Sequence, residues 1–481
     1  MERTINNLQK SIKGRLPRQG PNNKDGMFVG DRIHVANLLF SLIHHPIPVP
    51  SHCPKKGKFR KGKIRPCFHT SYKAYLHPPS IKAHHLIRFA YQTLHRHLRE
   101  RERERESGGD MKMASSRVCS RSGFWVVFLV LLGSSCSEGQ MVPAVFVFGD
   151  SLVDVGNNNY LPVSFAKADF PHNGVDCPTH KPTGRFSNGK NAADFLAEKL
   201  GLPTSPPYLA LISNSSQSNS SSPFLTGVSF ASAGAGIFDG IDEEFHQAIP
   251  LTKQVDYFLA VHDNLVRHMG SSGAQKHVAK SLFVIVIGSN DIFGYSRSSD
   301  TRKQHTPQQY VDLMASSLKD LLKRLHSYDA RKFAFAGLGP IGCCPSQRNQ
   351  NKTAACKEDT NSWARMYNEA LLAMLKGLKS ELEEISYSYL DTYTVLQNFI
   401  QNPSAYGFTE VKAACCGLGT LNAKVACLPI SEYCPNRRDH VFWDRYHPTE
   451  AAARIMIDEV FHGSPQYAYP MDLQQLAAVQ A

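Results

Sequence analysis

The 481 residues suffice for one large domain or several ordinary ones, and a formal charge of +13 taken alone points to a polyanion or a membrane surface. That charge is confined to one end: residues 1–110 carry 22 Lys and Arg against 8 Asp and Glu, and the other 371 residues carry 32 against 33. A near-neutral body removes most of the argument for a polyanion partner.

Residues 1–110 read as a disordered tail or as sequence upstream of the functional start. They hold the basic run "KKGKFRKGKIR" and the repeat "RERERERE". The competing reading is an RNA- or membrane-contacting run followed by a solvated helix. "LIRFAYQTLHRHL" has the spacing of a short amphipathic helix but no residues for chemistry.

Residues 111–138 have the order of a secretory signal. Lys112, Arg117 and Arg121 give a positive start, Phe124–Leu132 an apolar run too short to span a bilayer, and Gly133, Ser134, Ser135 and Cys136 the small residues of a cleavage site. The mature chain is expected to begin near Ser137–Met141, with a single domain over 141–465 and a tail over 466–481. No further apolar stretch is long enough to cross a membrane.

The body alternates strand-like and helix-like segments. "AVFVFG", "SLFVIVIG", "KFAFAGLG" and "ISYSYLD" read as strands, the second apolar throughout as expected when both faces are buried. "NAADFLAEKLG" predicts a helix with a glycine stop. "TPQQYVDLMASSLKDLLKRLHSYDA" predicts one capped by Thr306 with Pro307 at its first position and Gln309 completing a capping box. "NSWARMYNEALLAMLKGLKSELEE" and "PTEAAARIMIDEVFHG", the latter with Pro448 at its first position, complete the set. Such alternation implies a parallel sheet with helices on both faces, and sites at the carboxyl ends of its strands. The loops "GDS", "GSND" and "GLGPIG" directly follow strands, so the first two are expected to converge.

Eight cysteines fall in the body: Cys177, Cys343, Cys344, Cys356, Cys415, Cys416, Cys427 and Cys434. Disulfides suit this even number in a secreted chain; a zinc site is disfavoured because no paired CxxC is present. The pairing stays open. Asn214, Asn219 and Asn351 head potential glycosylation sequons, the first two in the Ser/Asn-rich "SNSSQSNSSSP".

A serine attacks an ester when a base accepts its proton and donors receive the oxyanion. Ser151 in "VFVFGDSLVDVGNNNYL" is the candidate nucleophile. Asp444 and His447 in "VFWDRYHPTEAA" stand three apart, so a tight loop brings the carboxylate to the imidazole; a purely local Asp–His pair before a helix is the plainer alternative. Asn290 offers a side-chain amide donor. "GVSFASAGAGI" offers backbone donors at Gly234 or Gly236, and it lacks the lysine and third glycine of the phosphate cradles. The G-x-S-x-G elbow of α/β-hydrolases is absent around Ser151.

"FVFGDSLVDVGNNNYL", "GVSFASAGAGI", "VIGSNDIF" and "FWDRYHPTEAA", in that order, resemble the four blocks of the GDSL (SGNH-hydrolase) esterase/lipase family. "FPHNGVDCPTHKPTGRFSNGKNAADFLAEKLGLP" and "FAFAGLGPIGCCPSQ" resemble its land-plant branch. The resemblance runs from about Pro143 to Gly463 and implies an α/β fold, a flavodoxin-like three-layer α/β/α sandwich with a parallel central sheet. It implies Ser151 as nucleophile, its own N–H entering the oxyanion hole with Gly234 and Asn290, His447 as base and Asp444 as its partner. Gly236 is the alternative register for Gly234. Asp150 and Asp291 then shape turns, and Arg185 and Asn188 either line the cleft or hold its loop.

The expected protein is a secreted, extracellular or wall-located monomeric esterase or lipase, acting on a small or polymer-linked ester without metal or cofactor. Transacylation to an alcohol, as in the family's cutin-building members, and a non-catalytic wall-binding role are the alternatives. Nucleic acid is not an expected partner, and no membrane span is expected to remain after signal cleavage.

Overall fold

The computed structural model describes residues 140–213, 223–241, 247–382, 384–462 and 465–480. The leader, the signal-like segment, Asn214 and Asn219 lie outside the described residues.

Five parallel strands form the central sheet: β1 (Val145–Gly149), β2 (Gly227–Ser229), β3 (Leu282–Val286), β4 (Lys332–Ala336) and β5 (Ser386–Leu390). Their order across the sheet is β5-β4-β3-β1-β2, the flavodoxin-like order. The four strands read from the sequence are β1, β3, β4 and β5. The fifth, β2, is only three residues long and occupies the start of "GVSFASAGAGI", which the sequence presents as a glycine-rich loop. Ala468–Tyr469 adds a short antiparallel strand on β5, so the sheet is mixed at that edge. Beyond it the helix Leu473–Ala478 buries Leu473 and Leu476 completely, and Lys332 Nζ donates to the Ala477 carbonyl at 3.0 Å. The segment expected as a tail is therefore built into the domain by its own apolar residues.

Alternate residues along each strand enter two different cores, as a sheet covered on both faces requires. One core takes the large side chains Phe146, Phe148, Phe283, Phe333 and Phe335, packed against the helices Leu251–Met269, Pro307–His326 and Glu358–Glu381. The Phe283 ring lies 5.1–6.1 Å from those of Phe146, Phe148, Phe258 and Phe333. Burying each such ring contributes about 1.5–3 kcal/mol over leaving it exposed. The other core takes Val145, Val147, Val284 and Ala334, against the helices Ala192–Lys199, Thr392–Gln401 and Glu450–Phe461.

The capping chemistry holds at Thr306, whose side chain accepts from Gln309 N in a full capping box with Pro307 in the first turn. It differs at the last large helix. Pro448 is not its first residue: it makes an isolated bridge to Phe442, and Thr449 is the cap, accepting from Ala452 N, with the helix starting at Glu450. Pro448 is spent on extending the chain out of the preceding loop.

Candidate active site

β1 has β2 on one side and β3 on the other, so the connections that leave the carboxyl ends of β1 and β3 run in opposite directions. Between them opens the crevice in which parallel sheets place ligands. β1 ends at Gly149 with φ +155°, where a Cβ would come within 2.3 Å of the Val286 carbonyl on β3; only glycine allows the strands to stay this close as the chain turns. Two residues later, Ser151 Oγ donates to His447 Nε2 at 2.7 Å. His447 Nδ1 donates to Asp444 Oδ1 at 2.8 Å and Oδ2 at 2.9 Å. An ionised carboxylate only accepts, so the proton sits on Nδ1 and Nε2 is left to accept from the serine.

The Asp444–His447 loop is fixed from several sides. Asp444 Oδ1 also accepts from Tyr446 N and His447 N, both at 2.9 Å, and Trp443 N donates to the His447 carbonyl at 2.8 Å. Burial by itself raises the Asp444 carboxyl; the neighbouring imidazole and these hydrogen bonds outweigh it and hold the group below the usual carboxylate range. The Phe186 ring lies 4.8 Å from that of His447. Beneath the loop, Trp443 is fully buried with Cys415, Cys416 and Cys427, and its Nε1 donates to Asn173 Oδ1 at 3.0 Å. Three disulfides form, Cys343–Cys356, Cys415–Cys434 and Cys416–Cys427, leaving Cys177 and Cys344 as thiols. The last two bridges belong to the cluster that carries Trp443.

Gly234 and Asn290 line the same cavity as Ser151, and Gly236 does not. Gly234 has φ +88°, a left-handed conformation that favours glycine. At Gly236 a Cβ would meet Asp291 Oδ1 at 2.8 Å, placing that residue on the buried side of the loop. Asn290 Nδ2 donates one hydrogen to the Ala235 carbonyl at 2.9 Å, which fixes the amide; the nitrogen carries a second hydrogen.

What holds this loop was not legible as function in the sequence. Asp291 accepts from Ile237 N and Phe238 N, and Asp154 accepts from Ala233 N, Gly156 N and Asn157 N. Asn157 Nδ2 donates to the carbonyls of Ser229 and Ala231, and Asn158 Nδ2 to those of Ala166 and Ala233. Asn157 and Asn158 of "GNNNY" are thus buried clamps on the segment leading to Gly234. The available signal was three consecutive asparagines next to a strand end, more amides than a simple turn needs.

Asp150 and Asp291 do have the turn-shaping positions expected of them: Asp150 Oδ1 accepts from Leu152 N at 3.0 Å. Arg185 is committed to Asp194 through two hydrogen bonds at 2.7 and 2.8 Å. Asn188 accepts from Glu450 N and donates to Asp176 Oδ2, both at 2.8 Å. Neither lines the cavity, so both hold the loop. Asn351 is exposed, its Oδ1 accepting from Thr353.

The carboxyl of Asp150 is buried, Oδ2 without a hydrogen-bond partner, and burial pushes it up to about 7 against the Leu152 N–H and the nearby His447. The folded state therefore keeps a proton that an unfolded aspartate, at 3.8, has released. This contribution to stability is full below the unfolded value and is lost as pH rises through the folded one. The melting temperature of Asp150→Asn relative to wild type should consequently climb between about pH 4 and about pH 7, a relative gain on the order of 2–4 kcal/mol. A difference that stays flat across that range would contradict the assignment.

The cavity at the site has a volume of ≈ 380 Å³ and runs from Ser151 past Phe186, Val286 and Ile287 to the helix Glu450–Phe461. A hydroxyl, imidazole and carboxylate stand here in one hydrogen-bonded line that opens into an apolar cleft, the arrangement that acyl transfer through a serine requires. The family model for GDSL-like Lipase/Acylhydrolase matches residues 145–460. GDSL esterase/lipase At5g55050 of Arabidopsis thaliana is 50% identical over 369 residues, 74% of this chain and 98% of that protein. GDSL esterase/lipase At5g37690 of the same plant is 39% identical over 319 residues, 66% and 87% of the two chains. A catalytic mutant of the acetylxylan esterase Axe2 from Geobacillus stearothermophilus aligns with 66% of this chain and 90% of its own at 11% identity, with a TM-score of 0.28. The chain belongs to the GDSL lipase/acylhydrolase family and is a carboxylic ester hydrolase.

Proposed function

We propose that this chain is a secreted serine esterase/lipase that hydrolyses esters of lipids or acylated wall components through an acyl-enzyme on Ser151. The observation that carries the reading is the hydrogen-bonded line Ser151–His447–Asp444. His447 Nε2 takes the Oγ proton as Oγ adds to the ester carbonyl. The oxyanion receives the N–H groups of Ser151 and Gly234 and the second amide hydrogen of Asn290. The alcohol leaves with the proton from His447. Water then gives its proton to His447 and its oxygen to the acyl carbon, releasing the acid and restoring Ser151. The depressed Asp444 carboxyl keeps its charge through both steps and steadies the imidazolium.

Export is supported by the signal-like order of 111–138, by three disulfides, and by the absence among the described residues of a helix long and apolar enough to cross a membrane. A fluorophosphonate probe should form one adduct on the protein, mapped by peptide mass to the fragment holding Ser151. Absence of labelling there, under conditions that label a reference serine hydrolase, would remove the reading.

A further inference from the structure

Beyond Ser151 the cavity continues across the sheet, and strand register gives its floor. Gly149 pairs with Val286 and Ala336 with Leu390, and Val286 lies one residue beyond the Ile285–Phe335 pair. These four strand ends form one row, on the face whose preceding residues Val147, Val284 and Ala334 belong to the smaller-side-chain core; Val286, Ala336 and Leu390 line the cavity, and Gly149 marks the end of the row just before Ser151. Three strand spacings make the row about 15 Å long. The roof is helical: Ala453, Met456, Ile457 and Val460, at separations of three and four residues, share one face of Glu450–Phe461 and line the cavity. The charged lining residues are Asp150 and Asp444 beside Ser151, together with Lys167, Arg297 and Arg445, and none of them belongs to the row or its roof; the Thr392 hydroxyl, near Leu390, already donates to the Gly337 carbonyl. Sugar hydroxyls would meet few partners along the row, whereas an alkyl chain would be buried over its whole length.

We infer that the acyl chain of the substrate lies along this row, from the carbonyl at Ser151 toward Leu390 and beneath Met456. The natural substrates are then esters of medium- to long-chain fatty acids, and Ala336 and Met456 set the chain length accepted. The inference rests on the serine-hydrolase reading for its chemistry and on the cavity alone for its binding.

The test compares kcat/KM for p-nitrophenyl acetate, dodecanoate and hexadecanoate. Each methylene in an apolar pocket is worth up to about tenfold or more in discrimination, so wild type should favour dodecanoate over acetate by at least about tenfold. Ala336→Phe blocks the middle of the row and should lower the dodecanoate-to-acetate ratio about tenfold or more. Met456→Ala, at a half-buried position that tolerates truncation, should raise the hexadecanoate-to-dodecanoate ratio several-fold, and it decides the matter if Ala336→Phe melts early. Acetate turnover with ratios indifferent to both substitutions would overturn the inference while leaving the hydrolase reading in place. If no ester is turned over, the hydrolase reading falls by itself. Calorimetric binding of dodecanoate to the Ser151→Ala protein then judges the inference: weakening by Ala336→Phe supports it, and no binding overturns it.

Discussion

Ser151→Ala is expected to lower kcat for p-nitrophenyl butyrate by about 10⁴–10⁶ and to abolish fluorophosphonate labelling, with the cooperative melt retained. The size follows from what one atom does. In the proposed mechanism Oγ forms the covalent bond, so without it only the oxyanion donors and the cavity remain to assist direct attack by water. The fold should not notice: Ser151 is half-buried at a loop, its Oγ bond runs to His447, and no packed side chain is removed. Retention of more than about a hundredth of wild-type kcat would show that another group is the nucleophile.

Asp444→Asn should lower kcat by about 10⁴ with KM changed little, although the two side chains have nearly the same shape. Asp444 Oδ1 is tied to two backbone N–H groups, so an amide oxygen takes that position and turns its NH₂ toward His447 Nδ1. Two donors cannot face each other, and the imidazole moves its proton to Nε2. In that tautomer the ring points a hydrogen at Ser151 Oγ and cannot take one, and the imidazolium has lost its counter-charge. A kcat within tenfold of wild type would reduce Asp444 to a residue that merely shapes the loop. A proportionate rise in KM would mean that the substitution had deformed the cavity instead.

The sequence carried the site further than it carried the fold. Ser151 and Asn290 each follow a strand read from the sequence, so topology alone predicts their convergence; Asp444 and His447 stand just before the last large helix, and their place beside Ser151 rests on their three-residue spacing and on the family resemblance. Gly234 and Gly236 could not be separated, because both suit a tight loop; the contact between Gly236 and Asp291 that distinguishes them is tertiary. β2 escaped notice because three residues are too few to show a period. The helix Leu251–Met269 turns Leu251, Val255, Phe258, Val261 and Leu265 inward at helical spacing, and on the same face Gln254, fully buried, bonds both the N–H and the carbonyl of Gly149 through its amide. The apolar period marks the helix, whereas the role of Gln254 in clamping the strand end just before Ser151 is tertiary and carries no local signal. Disulfide pairing was beyond reach for eight cysteines, and two of them stay unpaired.

The unequal filling of the two sheet faces has a consequence for how this enzyme tolerates change. The phenylalanine-rich face is a continuous aromatic pack in which a loss such as Phe283→Ala leaves a void costing about 3–5 kcal/mol. The opposite face ends in glycine, valine and alanine at the row that opens into the cavity, where substitutions of moderate size meet space before they meet neighbours. The phenylalanine-rich face carries its large side chains on the strands themselves, and the opposite face carries them on its helices, at Phe195, Phe399 and Phe461. On the proposed binding mode, a change of side chain along the row alters the cavity before it alters the aromatic pack.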